Sequence, residues 1–383
     1  MNNFVFQNPT KLIFGKGTIA TLANEIPTTK RILMTYGGGS IKANGVYDQV
    51  KNALKNHFVV EFAGIEPNPT YETLIKAVDI VKEQKIDFLL AVGGGSVIDG
   101  TKFIAAAVAY NGDPWDLLVD QNKITDALPL ASVLTLPATG SEMNGNAVIS
   151  KKTTHEKLAF GSAKTYPVFS ILDPEVTYSL PKRQIANGIV DTFIHVCEQY
   201  LTCPSQAMIQ DRFAEGILST LTELGEKVVA DNTDYDLMSN FMYSATIALN
   251  GFIAMGVPQD WATHSIGHEL TALHGLDHAV TLAIVQPSLW RVMRDEKKAK
   301  LLQYGERVWN ISQGTEEERV DAIINATEKF YRSVGMKTKL SEHGIGNESF
   351  DTIVDRFTQR GWKLGENQTI TPNKIREILN GCL

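Results

Sequence analysis

The chain has 383 residues and a formal net charge of −7, with 43% apolar and 21% charged residues. That length reads as two domains with room for a large core, and the acidic surplus argues against a nucleic-acid binder. The three cysteines, Cys197, Cys203 and Cys382, form no CxxC pair, which disfavours a disulfide framework or a cysteine zinc site and fits a reducing compartment. No stretch of about 18 uninterrupted apolar residues occurs, so no membrane span is expected. Residues 1–9 hold no basic region followed by an apolar run, so no signal peptide is read there and a cytoplasmic location is the expectation.

In chain order, the first apolar run is 31–36 (RILMTY), which ends in GGGS at 37–40. The next, 87–92 (DFLLAV), ends in a second GGGS at 93–96. Then come 131–136 (ASVLTL), stopped by PATGS at 137–141, and 167–172 (PVFSIL), stopped by Asp173 and Pro174. Short apolar runs halted by turn residues read as strands buried on both faces. Between them, Leu74, Ala77, Val78 and Val81 share one helix face. Strand–helix–strand alternation implies a parallel sheet covered by helices, with a ligand crevice beyond the carboxyl ends of the strands. Both GGGS segments and the ATGS segment lie at those ends. After 180–181 helical patterns dominate, at 185–200, 207–221, 236–249 and 297–309. The expected fold is an α/β dinucleotide-binding domain of residues 1–180, followed by an all-α metal-binding domain of residues 181–383.

Residues 93–102 (GGGSVIDGTK) follow a strand and open a helix. Glycines let a backbone approach phosphate oxygens, and a helix start offers free N–H groups and a partial positive charge. The string is neither GxGxxG nor a P-loop, and read alone it also suits a tight turn with no ligand. The second glycine turn strengthens the reading, since two such turns at one sheet edge suit two parts of a dinucleotide. Gly37, Gly38, Gly39 and Ser40 carry no acidic side chain to meet a ribose 2′-hydroxyl, which leaves room for a 2′-phosphate; Lys42 is a candidate charge partner. Thr139 and Ser141 suit phosphate or ribose contacts, and Ser141 and Asn144 equally suit a capped helix start.

Five of the eight histidines fall between residues 195 and 278, at 195, 264, 268, 274 and 278. Asp191 and His195 are spaced i, i+4 on one helix face, off the apolar stripe Ile185, Ile189, Phe193, Val196 and Tyr200. They form either a solvated polar face or half of a metal site. His264 and His268 repeat the i, i+4 spacing, and His278 follows ten residues later. Imidazoles with a carboxylate suit Zn²⁺ or Fe²⁺. The order HExxH is absent, so a zinc protease is not supported.

These strings, with 11–17 (KLIFGKG), 64–69 (GIEPNP), 188–195 (GIVDTFIH) and 256–278, resemble the iron-containing, or group III, alcohol dehydrogenases over essentially the whole chain. The resemblance is strongest to the NADPH-dependent butanol dehydrogenase/aldehyde reductase branch. It implies a dehydroquinate synthase-like architecture and a divalent metal (Fe²⁺ or Zn²⁺) held by Asp191, His195, His264 and His278. It implies His268 near the nicotinamide without being the fourth ligand, where His268, or a water it orients, is the candidate catalytic proton relay. It also implies an NADP(H) site made by Gly37, Gly38, Gly39, Ser40, Asn68, Gly94, Gly95, Ser96, Asp99, Thr135, Thr139, Ser141, Asn144 and Lys157. Lys102 completes the GGGSxxDxxK motif. Around the last ligand the family often shows Pro-His-Gly, whereas here the order is Asp277, His278, Ala279. The expected reaction is hydride transfer between NADP(H) and primary alcohols or aldehydes. A homodimer is the expected assembly. The alternatives are a glycerol-type polyol dehydrogenase, a dehydroquinate synthase-like lyase, and a cofactor-binding protein without activity.

Overall fold

The structure, a computed structural model, describes residues 1–383. Its strands are β1 (Lys11–Phe14), β2 (Arg31–Tyr36), β3 (Phe58–Phe62), β4 (Phe88–Gly93), β5 (Leu130–Leu134), β6 (Asn146–Lys151), β7 (Glu156–Gly161) and β8 (Phe169–Leu172). Six of them form one parallel sheet in the order β1-β8-β5-β4-β2-β3, and β6 pairs antiparallel with β7.

The four strands expected from apolar runs are the four inner strands. Each is buried along almost its whole length because helices cover both faces of the sheet. Alternate residues serve opposite cores. Leu33, Leu89, Ala91, Leu130 and Leu134 face the helices Tyr71–Glu83 and Gly95–Ala109. Ile32, Met34, Leu90, Val92, Ala131, Val133 and Ile171 face the other way, onto Ile19, Leu22, Val46 and Val50. The register Met34–Leu90–Ala131 runs one such row across three strands. The edge strands β1 and β3 are only half buried, so they lack the continuous apolar run that reveals the inner ones.

The remaining helices include Lys182–Tyr200, Met208–Ala230, Tyr235–Ala248, Ala262–His274, His278–Val292, Arg294–Val308 and Glu316–Ser333. The chain forms two compact units, neither continuous: Gln7–Pro181 with Asp231–Asn250, and Met1–Phe6 with Lys182–Ala230 and Gly251–Leu383. This differs from an unbroken 181–383 unit. The helix Tyr235–Ala248 joins the sheet because Met242 enters its core and Thr246 Oγ1 donates to the buried Glu142 Oε1 at 2.5 Å. Asn232 Nδ2 also donates to the carbonyls of Thr177, Tyr178 and Leu180. No helix is long and apolar enough to cross a membrane.

Candidate functional site

The helix Lys182–Tyr200 carries Asp191 and His195. Its apolar stripe enters the core as the spacing predicts, but its other faces are covered too. Asp191 is 3% exposed and His195 4%, so the solvated-face alternative is corrected. A carboxylate in such a place needs a partner, yet Asp191 Oδ1 accepts no hydrogen bond. It faces three imidazole nitrogens instead: Nε2 of His195 at 3.7 Å, of His264 at 3.9 Å and of His278 at 3.7 Å. These separations are too long for hydrogen bonds. Donors each about 2.1 Å from one ion stand roughly 3–4 Å from one another. The donor atoms of Asp191, His195 and His264 all lie within 4.8 Å of each other.

Helix geometry brings the four side chains together. His264 and His268 lie on the helix Ala262–His274, which Gly275 ends in a left-handed turn at φ 69°. His278 is the first residue of the next helix, His278–Val292. The ten-residue step from His268 to His278 therefore spans a helix end, a turn and a helix start. The His195 and His264 rings stack at 4.7 Å between centroids, and His278 lies 5.1 Å from His264. His268 is half-buried, with its ring 5.2 Å from His278 and 6.2 Å from His264. His274 ends the helix, with Nε2 2.8 Å from Ser349 Oγ, and burial lowers its pKa against the pull of Glu348.

A supporting shell around these residues was not read from the sequence. Glu198 Oε1 accepts the Thr263 backbone N–H at 2.7 Å, and its Oε2 pairs with His264 Nδ1. A carboxylate on one ring nitrogen orients the other, here Nε2 toward Asp191. Burial pushes the Glu198 carboxyl well above its ordinary range, and the charge of Asp260 adds to the effect. Asp260 Oδ1 accepts the Ala262 N–H at 2.8 Å, and Asp260 Oδ2 pairs with the buried Lys297 at 2.9 Å. Burial works against the Lys297 charge, but Asp260 and Glu366 outweigh it and hold the ammonium above its usual pKa. The signal for Glu198 was available: it lies seven residues after Asp191, on the same helix face. Asp260 and Lys297 carry no such local signal.

The donor set fits a divalent ion. It combines one carboxylate with the imidazoles of His195 and His264, with His278 outside that mutually close group but 3.7 Å from Asp191, and such donors suit Zn²⁺ or Fe²⁺. It has a buried carboxylate oxygen with no hydrogen bond, and a neighbouring carboxyl that burial drives toward its neutral form. A cation is the charge this cluster lacks.

In the other unit, the glycine turns stand at the carboxyl ends of β2 and β4. Gly39, at φ 106°, precedes a four-residue helix that begins at Ser40. Lys42 places its Nζ 5.3 Å from the Tyr36 ring centroid and 4.9 Å from that of Tyr47. The hydroxyls of both tyrosines donate to Glu61, at 2.9 and 2.8 Å. The lysine thus has a partner other than a phosphate. Gly94 stands just before the 15-residue helix Gly95–Ala109, with Ser96 in its first turn. A Cβ on Gly95 would fall 2.4 Å from Thr139 Oγ1, so only glycine lets the loop after β5 close onto this helix start. The Thr135 N–H donates to Gly93 O at 3.0 Å, tying that loop to the end of β4.

Asp99, Ser141 and Asn144 belong to one internal network centred on Lys102, whose side chain is wholly buried. Lys102 Nζ donates to Ser141 Oγ (2.8 Å), Asn144 Oδ1 (3.0 Å) and Asn146 O (2.7 Å). Asp99 accepts the Ser141 hydroxyl at 2.6 Å and the Val148 N–H at 2.9 Å. Asn144 Nδ2 donates to Gly140 O and Leu249 O. Burial lowers the Lys102 pKa to about 8, against the pull of Asp99 and Glu142. It raises that of Asp99, against Lys102 and its hydrogen bonds. Asn68 and Lys157, 89 positions apart, meet through a 2.9 Å bond from Lys157 Nζ to Asn68 Oδ1.

Comparison with known proteins covers both halves of the chain. Residues 9–174 match the iron-containing alcohol dehydrogenase family, and residues 185–383 match the C-terminal family of Fe-containing alcohol dehydrogenases. The NADPH-dependent aldehyde reductase YqhD of Escherichia coli (strain K12) is 58% identical over 382 residues, 99% of each chain. The crystal structure of E. coli K-12 YqhD matches with a TM-score of 0.99 at 56% identity, covering 100% of this chain and 99% of that one. The probable NADH-dependent butanol dehydrogenase 1 of Bacillus subtilis (strain 168) is 44% identical over 388 residues, 100% of each chain. Matched in both halves and along its full length, the chain belongs to the iron-containing alcohol dehydrogenase family of oxidoreductases.

Proposed function

We propose that this oxidoreductase interconverts aldehydes and primary alcohols with NADP(H), using one divalent ion held by Asp191, His195, His264 and His278, and that it works as a homodimer. The observation that carries the reading is Asp191 Oδ1, buried without a hydrogen bond and ringed by three imidazole nitrogens at 3.7–3.9 Å. When bound, the ion supplies Lewis acidity to a substrate oxygen and the nicotinamide supplies or accepts the hydride.

The chain's own residues hold and orient. Asp191 contributes the charge, and Glu198 fixes the His264 ring through Nδ1. His268 takes up or hands over the hydroxyl proton at Nε2, a buried atom of its ring. For the cofactor we propose the residues named from the sequence. Gly94, Gly95, Ser96, Thr135 and Thr139 act at the start of the helix Gly95–Ala109. Gly37, Gly38, Gly39 and Ser40 act at the end of β2, and Asn68 and Lys157 act as a pair. Asp99, Ser141 and Asn144 act from the network around Lys102. The preference for NADP(H) rests on the absence of an acidic side chain in 37–40. The Escherichia coli relative is named NADPH-dependent and the Bacillus subtilis relative NADH-dependent.

The test is metal analysis together with a panel of aldehydes under NADPH and NADH. Stoichiometric NADPH oxidation that stops when the metal is removed supports the reading. Activity that leaves net cofactor unchanged would assign the chain to cofactor-recycling lyases. Turnover restricted to polyols would move the substrate class.

A further inference from the structure

We propose that Asp277 is a positioning residue that ties His278 to the helix carrying Asp191 and His195. The proposal rests on the reading of His278 as a metal ligand. Asp277 is the N-cap of the helix His278–Val292, with φ −55° and ψ 144°. An aspartate there normally turns its carboxylate back onto the free N–H groups of the first helical turn. Asp277 makes no such bond. Its Oδ2 instead accepts Arg183 Nη1 at 2.7 Å and Asn187 Nδ2 at 2.8 Å.

Both donors lie on the helix Lys182–Tyr200. Asn187 is one turn before Asp191, on the same face. One face of this helix thus meets His278 twice: through Asp191 Oδ1, 3.7 Å from its Nε2, and through Asn187, which holds the residue next to it. His278 has the most need of such a hold. Its side chain is 24% exposed, against 10% or less for Asp191, His195 and His264, so packing constrains its ring least. The two anchors are unequal. The Arg183 side chain is 73% exposed, where an ion pair contributes little, whereas Asn187 is half-buried.

The experiment titrates Zn²⁺ into metal-stripped protein against a chromophoric chelator and records the melting temperature of each stripped variant. Asp277→Ala and Asn187→Ala should each weaken Zn²⁺ binding by about 10–100-fold, the range for residues that orient a ligand, with the melting temperature of the stripped protein close to wild type. Their double variant should bind no more weakly than the poorer single one, since both remove the same tether. Asp277→Asn keeps an acceptor oxygen without the charge and should stay within a few-fold of wild type, as should Arg183→Ala. Wild-type affinity in Asp277→Ala and Asn187→Ala, beside lost affinity in His278→Ala, would overturn the positioning role alone. An Asp277→Asn loss equal to that of Asp277→Ala would replace orientation with charge. A parallel fall in the stripped melting temperature would reduce the tether to a fold contact. Undiminished Zn²⁺ binding in His278→Ala would overturn the ligand assignment itself.

Discussion

At the scale of single residues, the proposed chemistry rests on Asp191, whose buried Oδ1 accepts no hydrogen bond. Replacing His264 with Ala removes a donor and leaves Glu198 without its imidazole partner. Metal content and turnover should fall together, and elemental analysis beside an aldehyde reduction assay checks this. Glu198→Ala leaves the four donors in place but frees the His264 ring. Zn²⁺ affinity should drop by about 10–100-fold, read by chelator competition. His268→Ala should retain the metal and change the rate or its pH dependence; wild-type rates across the pH range would make this histidine structural. Lys102 supplies a pH prediction. Its folded pKa of about 8 lies below the ordinary lysine value of 10.5, so between those values the unfolded chain binds the extra proton. Stability owed to this lysine should therefore rise from about pH 8 to 10.5 and be flat below. Denaturation of wild type and Lys102→Met across that window isolates the effect, because other titrating groups cancel in the difference.

At the scale of elements, the glycine turns decide which substitutions can test the cofactor preference. Gly39 has φ 106°, so a side chain there is strained, and a Cβ on Gly37 would press on Ile65 O at 3.3 Å. Gly38 is exposed, has no positive φ and meets nothing within 4 Å. Gly38→Asp is the clean variant. It should lower kcat/KM for NADPH by at least about tenfold relative to NADH, corresponding to ~1.4 kcal/mol of repulsion between the carboxylate and a 2′-phosphate. Equal losses with both cofactors would place the 2′-position elsewhere. Gly95→Ala tests the other turn. Its Cβ collides with Thr139, and the forced shift should cost about 1–3 kcal/mol of stability and weaken NADPH binding, measured by denaturation and by nucleotide fluorescence.

At the scale of the whole molecule, metal binding and stability are linked. An ion that binds only the folded chain stabilises it by about 2.7 kcal/mol at a hundredfold excess over Kd. Stripping the metal should therefore lower the melting temperature, and His264→Ala should abolish that difference.

Much of this molecule is legible in the residues themselves. Runs such as RILMTY and ASVLTL are apolar on both faces because helices cover both sides of their strands, and that reading needs no partner. The i, i+4 pairs Asp191/His195 and His264/His268 are legible because helical periodicity is local. β1 and β3 were not, because an edge strand's half-burial is set by the single neighbour it pairs with. The helix Tyr235–Ala248 looks like part of the helical half, and it is the entry of its Met242 into the sheet's core and the bond from its Thr246 to Glu142 that place it with the sheet. Glu198 beside His264, Lys102 beneath Ser141 and Asn144, and Asp277 on Asn187 are pairs separated by 66, 39 to 42, and 90 positions. Sequence periodicity identifies which residues share an element's face. Which face meets which, and hence which carboxylate orients which imidazole, is decided by the packing of elements far apart in the chain.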